Sequence, residues 1–137
     1  MDLSPNHQEA RSNAQRDAGI QASYDLLVSG DDPVQIDVYS GDRPAPGEPP
    51  GQHPRASVLA SDVSLDVEAR QIILPTPLEA LIMLSGTASW ARVLGADSAW
   101  WADMDVSDTA GSAPIRLDTT DLVAGAFLRL NQVVFEE

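Results

Sequence analysis

The chain has 137 residues, 43% of them hydrophobic, which suits one domain with a substantial core. Its formal net charge is −13, from 21 acidic and 8 basic residues, all of the latter arginine; this argues against binding nucleic acid or an anionic membrane, since neutralising phosphates requires clustered cations. There is no cysteine, which excludes disulfides, thiolate metal sites and cysteine nucleophiles, and no apolar run reaches the ~20 residues of a membrane span.

Residues 4 to 29 read as a helix, with Ser4 as N-cap, Pro5 in the first turn and Gly30 at the stop. Its first half is polar, and the segment from Met1 to Asp17 is expected to project as an arm that needs a partner surface. Ile20, Tyr24, Leu27 and Val28 form a stripe at helical spacing, so the second half is expected to pack on the core. Residues 1–30 are thus read as a helical arm and residues 31–137 as the main domain.

Asp31-Asp32-Pro33 is a turn, and Val34 to Tyr39 alternates apolar and polar as a half-buried strand does. Residues 41–54, with five prolines and three glycines, predict an irregular, extended loop. Arg55 to Val67 is strand-like, with a parity change that predicts a bulge or turn near Ser61-Asp62. Gln71 to Leu74 is a short strand, and Leu78 to Leu84 is ambiguous between strand and helical turn. Thr87–Leu94 and Ala99–Val106 predict a hairpin across Gly95 to Ser98, and Ile115–Asp118 and Ala126–Phe135 complete the set. Short strands at such spacing predict a mainly β fold: an antiparallel β-sandwich, immunoglobulin-like or jelly-roll-like, with an N-terminal helical arm.

Chemistry-bearing residues are sparse. His7 lies in the arm and His53 in the proline loop, neither with a partner at catalytic or metal-ligand spacing. No serine sits in a nucleophile elbow, and a G-x-x-x-x-G-K-[ST] phosphate-binding loop is impossible without lysine. Asp103 and Asp105 share one face of a strand, where paired carboxylates could hold a cation; the simpler reading is a solvated outer face, with Ala102, Met104 and Val106 inward. No catalytic residue, metal ligand or cofactor is assigned, and the chain is read as a non-enzyme. Trp90 is the choice for a core tryptophan between two sheets. Trp100 and Trp101 are consecutive, so only one can face inward, and the other is a candidate interface anchor. The candidate contact residues are Arg11, Arg16, Arg43, Pro49, Pro50, Trp100 and Trp101.

Three blocks carry a family likeness: Tyr39-Ser40-Gly41-Asp42-Arg43-Pro44, the run GTASWARVL from Gly86 to Leu94, and Ile115 to Gly125 with Leu117-Asp118-Thr119-Thr120 and Leu122-Val123-Ala124-Gly125. Over roughly residues 8 to 135 the chain resembles a family of small tailed-bacteriophage virion proteins with GTA(S/T)W(F/A)R and L(N/D)(T/S)T…(L/I)VAG segments. It departs from them in a longer arm, the EPPGQHP loop and the apolar stretch Leu78 to Met83. The resemblance implies a virion structural protein, with capsid decoration (a cement protein) as the first expectation. The alternatives are a tail, neck or baseplate accessory protein, or a surface module binding sugar or a host protein. The implied partners are major capsid or tail proteins and further copies of the chain, with a trimer expected, and neither nucleic acid nor membrane. The opening MDLSPNHQEARS has no charged segment leading into an apolar one, so the chain is expected to be made in a host cytoplasm and to reside in the virion.

Overall fold

A computed structural model describes residues 4–45 and 48–136. Helix α1 spans Pro5–Leu27. The extended backbone of Ser4 lets its hydroxyl accept from the His7 amide at 3.2 Å, and Pro5 fills a first-turn position where an N–H has no intrahelical partner. Ten strands follow: β1 (Val34–Ser40), β2 (Ala56–Ala60), β3 (Ser64–Asp66), β4 (Gln71–Ile73), β5 (Leu78–Leu81), β6 (Gly86–Leu94), β7 (Trp100–Asp108), β8 (Ile115–Leu117), β9 (Asp121–Leu122) and β10 (Phe127–Glu136).

The mainly β class is as expected, but the layering differs. The strands form one hydrogen-bonded path, β2-β1-β6-β7-β8-β10-β4-β3, with β5 added on β10 and β9 on β6. This is a single curled mixed sheet, a half-barrel, in place of two facing antiparallel sheets. Two observations measure the curl. β2 and β3 lie at opposite ends of the path, yet only Ser61, Asp62 and Val63 join them. Four Cα steps cover at most about 14 Å, so the two ends must lie close together. The curl also brings the segment after β5, itself paired with β10, against the approach to β2, where the Met83 and Leu84 amides both donate to the Arg55 carbonyl. The parity change near Ser61-Asp62 is therefore a complete strand break, made at Asp62 with φ +58°. The ambiguous stretch from Leu78 resolves as β5, paired along β10 from Leu78↔Leu130 to Leu81↔Phe127.

β7 and β8 run parallel, a departure from the all-antiparallel expectation. The chain achieves this in a short loop by doubling back. Asp108 Oδ1 accepts from the Ala110 and Gly111 amides, and Ser107 Oγ accepts from the Ala113 amide. The strand thus reverses, runs back along itself, and re-enters beside β7 with Val106 opposite Ile115. Gly111 permits it, because a Cβ there would lie 2.5 Å from the Ser107 side chain.

The concave face holds the core. Ile36 and Val38 of β1, Val58 of β2, Ala91 and Val93 of β6, Ile115 and Leu117 of β8, and Leu130 and Val133 of β10 are all fully buried there. Burying each large aliphatic side chain contributes about 1.5–3 kcal/mol. The C-terminal half of α1 joins this core through Ile20 and Leu27. Polar contacts fix its seat. Trp101 Nε1 donates to the Ser23 carbonyl at 3.0 Å, Tyr24 Oη to the Val63 carbonyl at 3.2 Å, and the Ala96 amide to the Leu27 carbonyl at 2.8 Å. Arg70, in the β3–β4 turn, bonds Asp17 and Asn13 at 3.0 Å each. The projecting part is therefore shorter than expected: Asn13 and Asp17 are docked, and Pro5 to Ser12 are exposed. Met1 to Leu3 lie outside the described residues. No helix among the described residues is long and apolar enough to cross a membrane.

Gly30, at φ +152°, sits against the β6–β7 turn, and a Cβ there would be 2.3 Å from the Ala96 carbonyl oxygen. Gly30→Ala is expected to destabilise the protein by about 1–3 kcal/mol, measured by urea unfolding. A neutral result would show that the helix seat does not depend on this contact.

Candidate functional site

Alternation gives β1, β6 and β7 a second, convex face. Gln35, Asp37 and Tyr39 project there from β1, opposite to the core residues Ile36 and Val38. The registers then line up three cross-strand rows: Tyr39↔Trp90↔Asp105, Asp37↔Arg92↔Asp103 and Gln35↔Leu94↔Trp100. Trp90 is only 1% exposed, yet it stands in the first of these rows and not in the main core. The expectation of a tryptophan between sheets is corrected accordingly: its ring stacks on Tyr39, with centroids 4.5 Å apart and planes at 16°.

Arg92 organises the middle row. Its Nε donates to Asp103 Oδ1 at 2.8 Å and its Nη2 to Asp103 Oδ2 at 3.0 Å, the bidentate fork that matches a carboxylate. Nη2 also donates to the Glu48 carbonyl at 2.7 Å. The guanidinium lies 5.8 Å from the Trp90 ring centroid and 6.0 Å from that of Trp100, within cation–π range of both. On the other side, Asp37 Oδ1 accepts from Gln35 Nε2 and from Ser57 Oγ, both at 2.7 Å.

Asp103 was expected on a solvated face. Its side chain is instead 7% exposed, because Arg92 and the Trp100 indole, donating to Oδ1 at 3.0 Å, enclose it. Burial pushes its carboxyl pKa up, but the Arg92 and Trp100 hydrogen bonds outweigh that, and the pKa lies below the usual carboxylate value. The Arg92 pKa is raised, chiefly by its hydrogen bond to Asp103. Burial, with Asp37 nearby, raises the Tyr39 hydroxyl. Asp105 does match the solvated reading, with its side chain 71% exposed. Among the described residues, no group of three or more His, Asp and Glu is placed to hold a metal ion.

The proline-rich segment is tied to this face at four places. Ser89 Oγ donates to the Gly41 carbonyl, Arg43 Nη1 to the Asp103 carbonyl, Arg92 Nη2 to the Glu48 carbonyl, and Gln52 Nε2 to the Ser40 carbonyl. These anchors bracket the Tyr39–Trp90 stack. Pro49 is exposed and Pro50 half-buried; Pro46 and Gly47 lie outside the described residues. Arg43, Pro44, Trp100 and Asp103 line a cleft of about 370 Å³.

The tryptophan pair separates as the strand geometry demands. The β6–β7 register shifts so that Leu94 faces Trp100 and Val93 faces Ala102, leaving Trp101 as the extra residue of a bulge. Trp101 packs inward against Phe135 at 5.1 Å, and Trp100 stays 46% exposed. Arg11 and Arg16 are exposed on α1, and His7 and His53 are exposed, far apart in the fold. Sequence reasoning missed Arg92 and Asp37. The available signal was a charged residue at the centre of an otherwise apolar strand, Ala91-Arg92-Val93.

A second surface was also missed. On β5 and β10, Leu81 faces outward beside Phe127, and Glu79 beside Arg129. Ile82 donates to the Ala126 carbonyl and Gly125 to the Ile82 carbonyl, which bring the turn holding Val123 alongside Met83. The exposures are 53% for Leu81, 51% for Met83, 62% for Val123 and 71% for Phe127. Together they form an apolar ridge. No protein-family model, curated protein or solved structure matches the chain.

Removing Arg92 leaves a buried carboxylate without its partner. Arg92→Met is expected to cost about 3–5 kcal/mol, and Arg92→Met with Asp103→Leu far less, in denaturant unfolding. Equal losses in the two variants would show that the pair does not organise this face. Because the Asp103 pKa is depressed on folding, its contribution is complete above the unfolded value of about 3.9 and disappears as pH falls below it. Asp103→Asn should therefore flatten the fall in stability between pH ~4 and more acid conditions. An unchanged acid limb would contradict that assignment.

Proposed function

We propose that the protein is a structural subunit of a tailed-phage particle, acting by contact with its neighbours and without catalysis. The observation that carries this reading is the ridge of Leu81, Met83, Val123 and Phe127. Contiguous exposed apolar surface of this kind, flanked by polar residues, marks sites of protein association. The neighbour is a second copy of the chain. A molecule of net charge −13 repels its own copies, so a self-contact needs a locally neutral surface. On β5 and β10 the charges beside Leu81 and Phe127 balance: Glu79 and Arg129 stand opposite each other across the strands. A two-fold or cyclic contact can set the Glu79 of one copy against the Arg129 of the next. The likeness of the Tyr39–Pro44, Gly86–Leu94 and Ile115–Gly125 segments to virion proteins supports the same reading. Within it, capsid decoration is the assignment we favour.

Phe127→Asp places a charge at the centre of the ridge without touching the core. Wild-type protein is expected to be oligomeric at micromolar concentration in analytical ultracentrifugation, and Phe127→Asp monomeric with an unchanged circular-dichroism spectrum. A monomeric wild-type protein, or an oligomer indifferent to Phe127→Asp and Leu81→Asp, would refute the ridge as the contact.

A further inference from the structure

Trp100 lies on the convex face of β7, separated by β8 from β10, which carries the ridge residue Phe127. The residue is 46% exposed although its indole is held twice, by the Nε1–Asp103 hydrogen bond and by the Arg92 guanidinium beside it. An exposed aromatic ring fixed in this way loses little side-chain entropy when it is covered, which is what a binding platform requires. It forms one wall of the 370 Å³ cleft shared with Arg43, Pro44 and Asp103. Asp105 stands at the rim, with its carboxylate 3.7 Å from Arg43 Nη1.

The charges define the ligand. Asp103 is occupied by Arg92 and by Trp100. Arg43 Nη1 donates to the Asp103 carbonyl at 3.3 Å and lies 3.7 Å from Asp105, beyond hydrogen-bond reach, so the guanidinium has further donors and Asp105 has acceptors to offer a ligand. A cationic ligand would compete with Arg43 and Arg92 already in place. An anionic one would meet Asp103, Asp105 and the field of a chain carrying −13. The group that fits has no charge, one apolar face, and neighbouring hydroxyls that both accept and donate. We propose that the Trp100 cleft binds a neutral pyranose of a glycan. The C–H face of the sugar stacks on the indole, one hydroxyl accepts from Arg43, and an adjacent hydroxyl donates to Asp105.

The three tryptophans give three indole N–H signals in a ¹H–¹⁵N spectrum, and each reports its own site. The probes are the methyl pyranosides of glucose, galactose and mannose, with N-acetylarginine amide and N-acetylglutamate as charged comparators. Saturable movement of the Trp100 signal by at least one glycoside is expected, in the millimolar range typical of a single small ring, with the Trp90 and Trp101 signals still. Asp105→Ala should weaken that binding about tenfold, the loss of one charged hydrogen bond. Trp100→Ala should abolish saturation transfer to the glycoside while the fold persists. The proposal is overturned if no glycoside moves the Trp100 signal up to roughly 50 mM, well above millimolar affinity. It is equally overturned if a charged comparator binds at Trp100 more tightly than every glycoside, or if Asp105→Ala leaves the glycoside affinity unchanged. None of these outcomes depends on oligomeric state, so the assembly reading stands or falls separately.

Discussion

Strands β1 and β6 are buried on both faces, and the burial of their outer face centres on one ion pair to β7. On the concave side Ile36, Val38, Ala91 and Val93 make an ordinary apolar core. On the convex side Arg92 and Asp103 take its place. A bidentate pair this sheltered from water is costly to dehydrate, and further contacts to each partner help sustain it. Arg92 donates onward to the Glu48 carbonyl and lies over two indole rings, while Asp103 accepts from one of those indoles. The pair sets the path of the proline-rich loop and the pose of Trp100. It does so through fixed geometry, and the convex face becomes specific in shape because a buried carboxylate and guanidinium tolerate few alternative arrangements.

The apolar ridge follows a different logic. β5 and β10 also alternate, with Leu78, Ala80, Leu128 and Leu130 packed inward. Their outward positions, however, carry Leu81 and Phe127, and no loop or helix of the described chain covers them. The two surfaces therefore differ in kind. The first is polar, internally saturated and pre-organised around one exposed ring. The second is apolar and unfinished, as expected of a surface completed by another subunit. The helix is likewise divided: Asn13 to Leu27 is seated by Arg70, Trp101 and Ala96, and Pro5 to Ser12 is exposed.

Local features of the fold were readable from sequence. Ser4, Pro5 and Gly30 bound the helix because caps act through adjacent backbone groups. Alternation found β1, β6, β7 and β10 because strand parity is local as well. What escaped was long-range. The union of Ala60 and Ser64 with opposite ends of one sheet depends on curl, which no window of sequence encodes. The parallel β7–β8 pair depends on Asp108 and Ser107 folding a loop back on itself, and aspartate and serine are common in any turn. Trp90 was recognised as buried but assigned to the wrong layer, since a tryptophan under a loop and one in a core look alike in sequence. Arg92 and Asp103 sit in separate strands, and only the register of β6 on β7 makes them partners.

On the proposed reading two faces of one curled sheet have opposite roles: a neighbouring copy would cover the β5–β10 ridge and leave the Trp100 cleft open. A cryo-electron microscopy map of the purified particle tests this most directly. The account predicts density for the chain with Leu81 and Phe127 packed against a neighbouring subunit and Trp100 facing solvent. A particle that lacks the chain, or one in which Phe127 faces solvent and Trp100 is sealed in the contact, would contradict it.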